Sequence, residues 1–152
     1  MKPDFKASET LAEALRLAGW YPGRQIDITS LTQSIGRLGA IASEAVVSFL
    51  REFGDLTIIY TRPAAATISE SFDKIRLDPA FGPDWNNLDY GAIVGKPVCP
   101  IGDIYRGHMT LLMSPDGSIY GVYDDTVVAF GSNPEMALNT MVTNQETVWI
   151  ET

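Results

Sequence analysis

Cys99 and His108 are the only thiol and the only imidazole in the 152 residues, so they are the one pair that could build an activated cysteine nucleophile. Cys99 stands between Pro97-Val98 and Pro100, a setting for a small apolar filler. His108 opens an alternating apolar stretch and reads as a strand residue. Both are therefore expected to be structural. Metal ligation needs several converging His, Cys or carboxylate groups, and no HExxH or CxxC spacing exists. Ser114 and Ser132 fall in turn-forming stretches, and no GxSxG elbow surrounds either. The glycines are scattered singly, with no Walker loop and no GxGxxG after a strand, so nucleotide binding lacks its usual scaffold. The expectation is no catalytic residue, no metal and no cofactor.

Carboxylates set among aromatics are what remains. Asp84-Trp85-Asn86-Asn87-Leu88-Asp89-Tyr90 places two aromatics between acids in a loop-like stretch, the pattern of an anchor site for a basic partner. Trp85 has a second reading, in which it tucks into the core and holds the loop down. Asp124-Asp125 sits at a hairpin tip, where neighbouring side chains diverge, so it does not suit two-carboxylate hydrolysis. It reads as a solvated turn, or as acids contributing to a partner-facing surface. The candidate partner-binding residues are thus Asp84, Trp85, Asp89, Asp124 and Asp125.

The charge distribution supports that choice. Residues 1–69 hold seven acids and seven bases, whereas residues 70–152 hold twelve acids and four bases and carry the whole net charge of −8. Such a field repels nucleic acid and anionic membranes and attracts basic proteins, although acidic surfaces also serve solubility alone. Nine acids against four bases in residues 70–125 are expected to gather on the sheet-side surface and its loops. With 45% apolar residues the chain is no disordered acidic tail, and its length suits one domain over 1–152. No apolar run approaches the ~20 residues of a membrane span, the amino terminus has no signal-like apolar region, and a lone cysteine permits no internal disulfide. These features fit a cytoplasmic protein.

The elements that must position these residues follow from periodicity. Leu11, Ala14, Leu15 and Ala18 mark one face of a helix, with Ser8 or Thr10 as cap and Gly19 as stop. Pro22-Gly23 asks for a type II turn, and Ile26-Asp27-Ile28 alternates as a short extended piece. Residues 30–38 predict a second helix, and Ser43–Phe53 a third, with Val46, Phe49, Leu50 and Phe53 inward. Strands are predicted at Leu56–Tyr60, Phe72–Leu77, His108–Met113, Ser118–Tyr123 and Val127–Phe130, with Asp116-Gly117 as a hairpin turn. Residues 78–103, rich in Pro and Gly, predict a loop with one short helix or strand. Gly131-Ser132-Asn133-Pro134-Glu135 starts a last helix running to about Val142, through a Ser132–Glu135 capping box or an Asn133 cap followed by Pro134. Helices, then an antiparallel meander, then a helix is an α+β pattern with the helices on one face or end of the sheet.

A helix running into Leu15-Arg16-Leu17-Ala18-Gly19-Trp20-Tyr21-Pro22-Gly23-Arg24 resembles the AGWxPGR signature of the third immunity-protein branch of the SUKH superfamily. The resemblance continues through Phe49–Leu56, Tyr105–Met113, Gly117–Tyr120 and Phe130-Gly131-Ser132. Asp55 stands where that branch usually carries a second glycine. The resemblance implies an α+β sheet fold and a non-enzymatic task, the neutralisation of a protein toxin, often a nuclease, inside the producing cell. A regulatory or scaffold module is the other role the superfamily implies. Trp20 and Arg24 are assigned to structure, Trp20 as a plug of the helix–sheet joint and Arg24 as partner of a carboxylate.

Overall fold

The computed structural model describes residues 7–62, 71–82, 85–105, 107–143 and 148–150, with the side chains at 61, 62, 71, 72, 148 and 149 outside that description. Three helices come first: α1 (Glu9–Ala18), α2 (Thr29–Arg37) and α3 (Glu44–Phe53). Strands β1 (Thr57–Arg62) and β2 (Ser71–Arg76), a 3-10 turn (Pro79–Phe81) and the short α4 (Tyr90–Val94) follow. Next are β3 (Cys99–Ile104), β4 (Met109–Met113), β5 (Ile119–Tyr123), β6 (Thr126–Gly131), α5 (Pro134–Thr143) and β7 (Val148–Ile150). The α+β class expected from the sequence is the one observed.

Helix boundaries follow from local hydrogen bonding. The Ser8 hydroxyl accepts from Leu11 N at 3.1 Å and the Ser43 hydroxyl from Val46 N at 3.3 Å, each satisfying a donor the helix leaves orphaned. Asn133, and not Ser132, caps α5: its carboxamide oxygen accepts from Met136 N at 2.8 Å, while the Ser132 hydroxyl lies 3.9 Å from the Met136 sulfur. Pro134 then fits the first helical position, where no amide is needed. Leu11, Leu15, Leu50 and Phe53 are buried from these helices, each stabilising by about 1.5–3 kcal/mol relative to exposure.

Four residues of the Ala18–Arg24 run have a clear structural task. Gly19, at φ +106°, ends α1 in the left-handed conformation, and its amide bonds back to Leu15 and Arg16. Trp20 is half-buried, with its ring 6.3 Å from Phe53 in a stacked pair and its Nε1 donating to the Glu52 carboxylate at 3.0 Å. It therefore packs against α3 and against the main core that helices and strands share. Gly23, at φ +82°, completes the expected turn, closed by Arg24 N to Tyr21 O at 3.2 Å. Arg24 is buried and pairs with no carboxylate among the described residues; its guanidinium donates to the main-chain carbonyls of Glu52 and Gly54, the latter at 2.9 Å. A helix end leaves those carbonyls unpaired, and a fork of fixed N–H donors satisfies two at once. Asp55 takes the left-handed φ of +63°, which explains why a glycine suits that position. The Ile26–Ile28 stretch forms no strand; Ile26 N instead donates to Arg51 O at 2.9 Å.

All seven strands form one antiparallel sheet in the order β1-β2-β3-β4-β5-β6-β7. Alternation sorts the side chains onto two faces. Leu111, Met113, Val128 and Phe130 join the main core with α1, α2, α3 and α5. Leu112, Tyr120, Val122 and Val127 face the other way and are covered by Tyr90 and the 85–98 segment. The helices thus do not all lie on one side, since α4 belongs to the second face. The strand β7 was not foreseen, and β3 only as one of the two short elements, helix or strand, allowed for residues 78–103. Every residue of β3 is buried, so no alternation marks it, and it carries Pro100, Gly102 and a register shift between them. A Cβ at Gly102 would lie 1.9 Å from the Arg76 carbonyl oxygen, so only glycine lets β3 approach β2. The three-residue β7 is too short to carry a pattern.

Candidate partner-binding surface

The segment Trp85–Val98 is capped internally and tied down at three places. The Trp85 indole donates to Leu38 O at 2.9 Å, at the carboxy-terminal end of α2. The Asp89 carboxylate accepts from Ala92 N at 3.1 Å and caps α4, and Gly95, at φ +75°, closes it. The buried Tyr90 donates its hydroxyl to Asp124 O at 2.7 Å. Lys96 reaches the Asp116 carboxylate at 2.6 Å and Ser118 Oγ at 3.3 Å. A segment read from sequence as loop is thereby fixed to α2, to the β5–β6 turn and to the β4–β5 turn.

Asp124 and Asp125 occupy the two-residue connection between the paired Tyr123 and Thr126. Asp124 sits at φ +48°, a region Asp tolerates better than most residues. Its side chain and that of Asp125 are exposed, as is Asp89. No ion pair engages Asp89, Asp124 or Asp125 among the described residues. The Tyr90 hydrogen bond therefore brings three uncompensated carboxylates from two loops to one side of the molecule. Asp84 lies outside the described residues. Trp85 is half-buried with its N–H spent on Leu38, so it does hold the loop down. Sequence reasoning missed Tyr90 as the clamp, because a lone tyrosine after an acid gives no hint of the carbonyl it will reach.

Some acids of the 70–125 span lie elsewhere, which corrects the expectation that they all gather on one surface. Asp73 and Asp103 are each 3% exposed. Asp103 forms a two-point ion pair with Arg76, whose guanidinium lies 3.7 Å from the centre of the Phe81 ring and is held charged chiefly by that carboxylate. Asp116 is committed to Lys96, and the Lys96 ammonium, the Ser114 hydroxyl and Ser118 N hold its carboxyl far below the usual range. Burial pushes the Cys99 thiol up to about 12. His108 is an exposed turn residue before β4, not a strand residue. Among the described residues no three His, Cys, Asp or Glu side chains gather to hold a metal ion, and no helix is long and apolar enough to cross a membrane.

What the fold presents, then, is an α+β protein with exposed acids on two loops joined by the Tyr90–Asp124 hydrogen bond. Residues 7–144 match the SUKH-3 immunity protein family, and the chain belongs to that family. The match covers α1 to α5 and β1 to β6, including the Ala18–Arg24 run that carried the resemblance. No curated protein and no solved structure matches the chain.

Proposed function

We propose that this protein neutralises a cognate toxin by binding it in the cytoplasm of the producing cell, without catalysis, and that the toxin is a basic nuclease. The family supports an immunity role and a protein toxin as partner. The observation that carries the manner of binding is the Tyr90–Asp124 hydrogen bond, which sets Asp89, Asp124 and Asp125 in one exposed group with no described cation beside them. A nuclease grips phosphates with Lys and Arg, and occupying that grip requires only complementary charge. Asp84 and Trp85 are assigned to the proposed interface as well.

The test pairs cell survival with binding kinetics. Cells expressing the cognate toxin domain survive when this protein is co-expressed, and the two proteins co-purify. Replacing Asp84, Asp89, Asp124 and Asp125 together by Asn slows association and flattens its salt dependence, since exposed charges are screened beyond a Debye length of about 8 Å. Survival without any complex would overturn the binding mechanism. A complex whose association rate and salt slope ignore the four substitutions would remove these acids from the interface.

A further inference from the structure

The connection between α2 and α3 carries Gly39-Ala40-Ile41, and the 85–91 segment runs beside it, held by the Trp85 bond to Leu38 O. Between them lies an open groove of about 520 Å³. Ile41 and Leu88 both line it, and they are 87% and 39% exposed. A single exposed apolar side chain is ordinary on any protein. Two in the lining of one groove, with Trp85 in the same lining, make an apolar patch of the kind that marks recognition surfaces. Nothing in local structure asks for isoleucine at position 41, which lies in neither helix nor strand. The recess is also pre-organised. Trp85 and Tyr90 spend their polar atoms on Leu38 and Asp124, so little side-chain freedom is lost when a partner arrives.

Charge decides the occupant. The exposed Asp89 stands in the groove wall, and Tyr90, another wall residue, links it to the Asp124-Asp125 turn. The nearby Lys96 offers no compensation, because its ammonium is bonded to Asp116. Nucleic acid or an anionic membrane would meet like charge here, whereas a basic protein segment would meet opposite charge. Resting on the immunity reading above, we infer that this groove is where the partner protein docks, seating one aromatic or aliphatic side chain, bordered by Lys or Arg, between Ile41 and Leu88. The apolar pair then governs how long the complex lasts, and the acids govern encounter and orientation.

The test uses the full chain with labelled methyl groups and two tripeptide probes, acetyl-Arg-Trp-Arg-amide and acetyl-Glu-Trp-Glu-amide. The basic probe shifts the Ile41 and Leu88 methyl resonances saturably, and the acidic probe does not. Joint replacement Ile41→Ser and Leu88→Ser weakens the basic probe by about tenfold or more, the loss of a buried anchor. Leu17→Ser, at a 70% exposed site on α1, leaves binding unchanged. Shifts that avoid Ile41 and Leu88, that are equal for both probes, or that survive the paired serines overturn the inference. A cell arm separates it from the broader reading. Toxin neutralisation that persists in the paired-serine variant overturns the groove and leaves immunity standing. Probe binding at Ile41 and Leu88 without any protection by the wild-type chain removes the immunity reading and leaves the groove as a basic-peptide site.

Discussion

The hydroxyl of Tyr90, at the start of α4, donates to the main-chain carbonyl of Asp124 in the β5–β6 turn at 2.7 Å. The ring itself is buried over Leu112, Tyr120, Val122 and Val127, so one side chain both covers the second sheet face and positions the acidic turn. Removing only the hydroxyl isolates the second role. Tyr90→Phe should cost about 0.5–1.5 kcal/mol of stability, the net worth of one such bond. Amide exchange at Asp124 and Asp125 should quicken more than in β4. Unchanged exchange at the turn would mean that the bond does not hold it.

Trp20 contributes to stability through two separable interactions. Trp20→Phe keeps an aromatic against Phe53 but strips the Glu52 carboxylate of its indole donor, and should cost about 1–2 kcal/mol. Trp20→Ala loses both and should cost about 2–4 kcal/mol, towards or below the low end for core aromatics because the ring is half-buried. Denaturant midpoints in the order wild type, Phe, Ala check this. Equal midpoints for the two variants would reduce the indole N–H to a bystander.

The Lys96–Asp116 pair makes acid stability pH-dependent with a definite sign. The Lys96 ammonium and the Ser114 and Ser118 donors depress the Asp116 pKa in the folded protein. Its contribution is therefore fully present above the unfolded value of about 3.9 and is lost as pH falls towards the folded one. The side chains are 52% and 37% exposed, so solvent screening keeps the effect below about 1 kcal/mol. Asp116→Asn should lower stability at neutral pH by no more than about 1 kcal/mol, and the difference should shrink as pH falls below about 4, so that the variant's acid limb is the flatter one. Acid limbs that superimpose would show the pair to be energetically silent.

Cys99 should be inert while the protein is folded. Its thiol, buried between the Pro97-Val98 stretch and Pro100, is pushed up to about 12 by desolvation, against about 8.5 for a free thiol. A disulfide reagent at pH 8 should label it only at the rate of unfolding, and labelling should accelerate with denaturant. The raised folded pKa also means that its stability contribution holds below about pH 8.5 and declines as pH climbs towards the folded value. Rapid labelling in native buffer would contradict the burial.

The helical faces through Leu11, Leu15, Val46 and Phe53, the turns at Pro22-Gly23 and Asp116-Gly117, and five of the seven strands were legible in the sequence. In each case the signal is local: a period of 3.6 or 2, a cap, or a residue that accepts an unusual φ. The family signature was legible because Gly19, Trp20, Gly23 and Arg24 stand in one short run, although Trp20 and Arg24 act on Glu52, Phe53 and Gly54 far along the chain. Tertiary structure alone decided the rest. β3 is buried on both faces, which erases alternation, and its Gly102 answers to Arg76 on a neighbouring strand. Arg24 found helix-end carbonyls in place of a carboxylate. The acids split into the buried Asp73 and Asp103 and the exposed Asp89, Asp124 and Asp125, although nothing in their neighbours along the chain separates them. The groove between Ile41 and Leu88 joins residues 47 positions apart. Local sequence carries backbone preference and periodicity, but burial and charge pairing are properties of what the fold brings alongside, and only the packed chain assigns them.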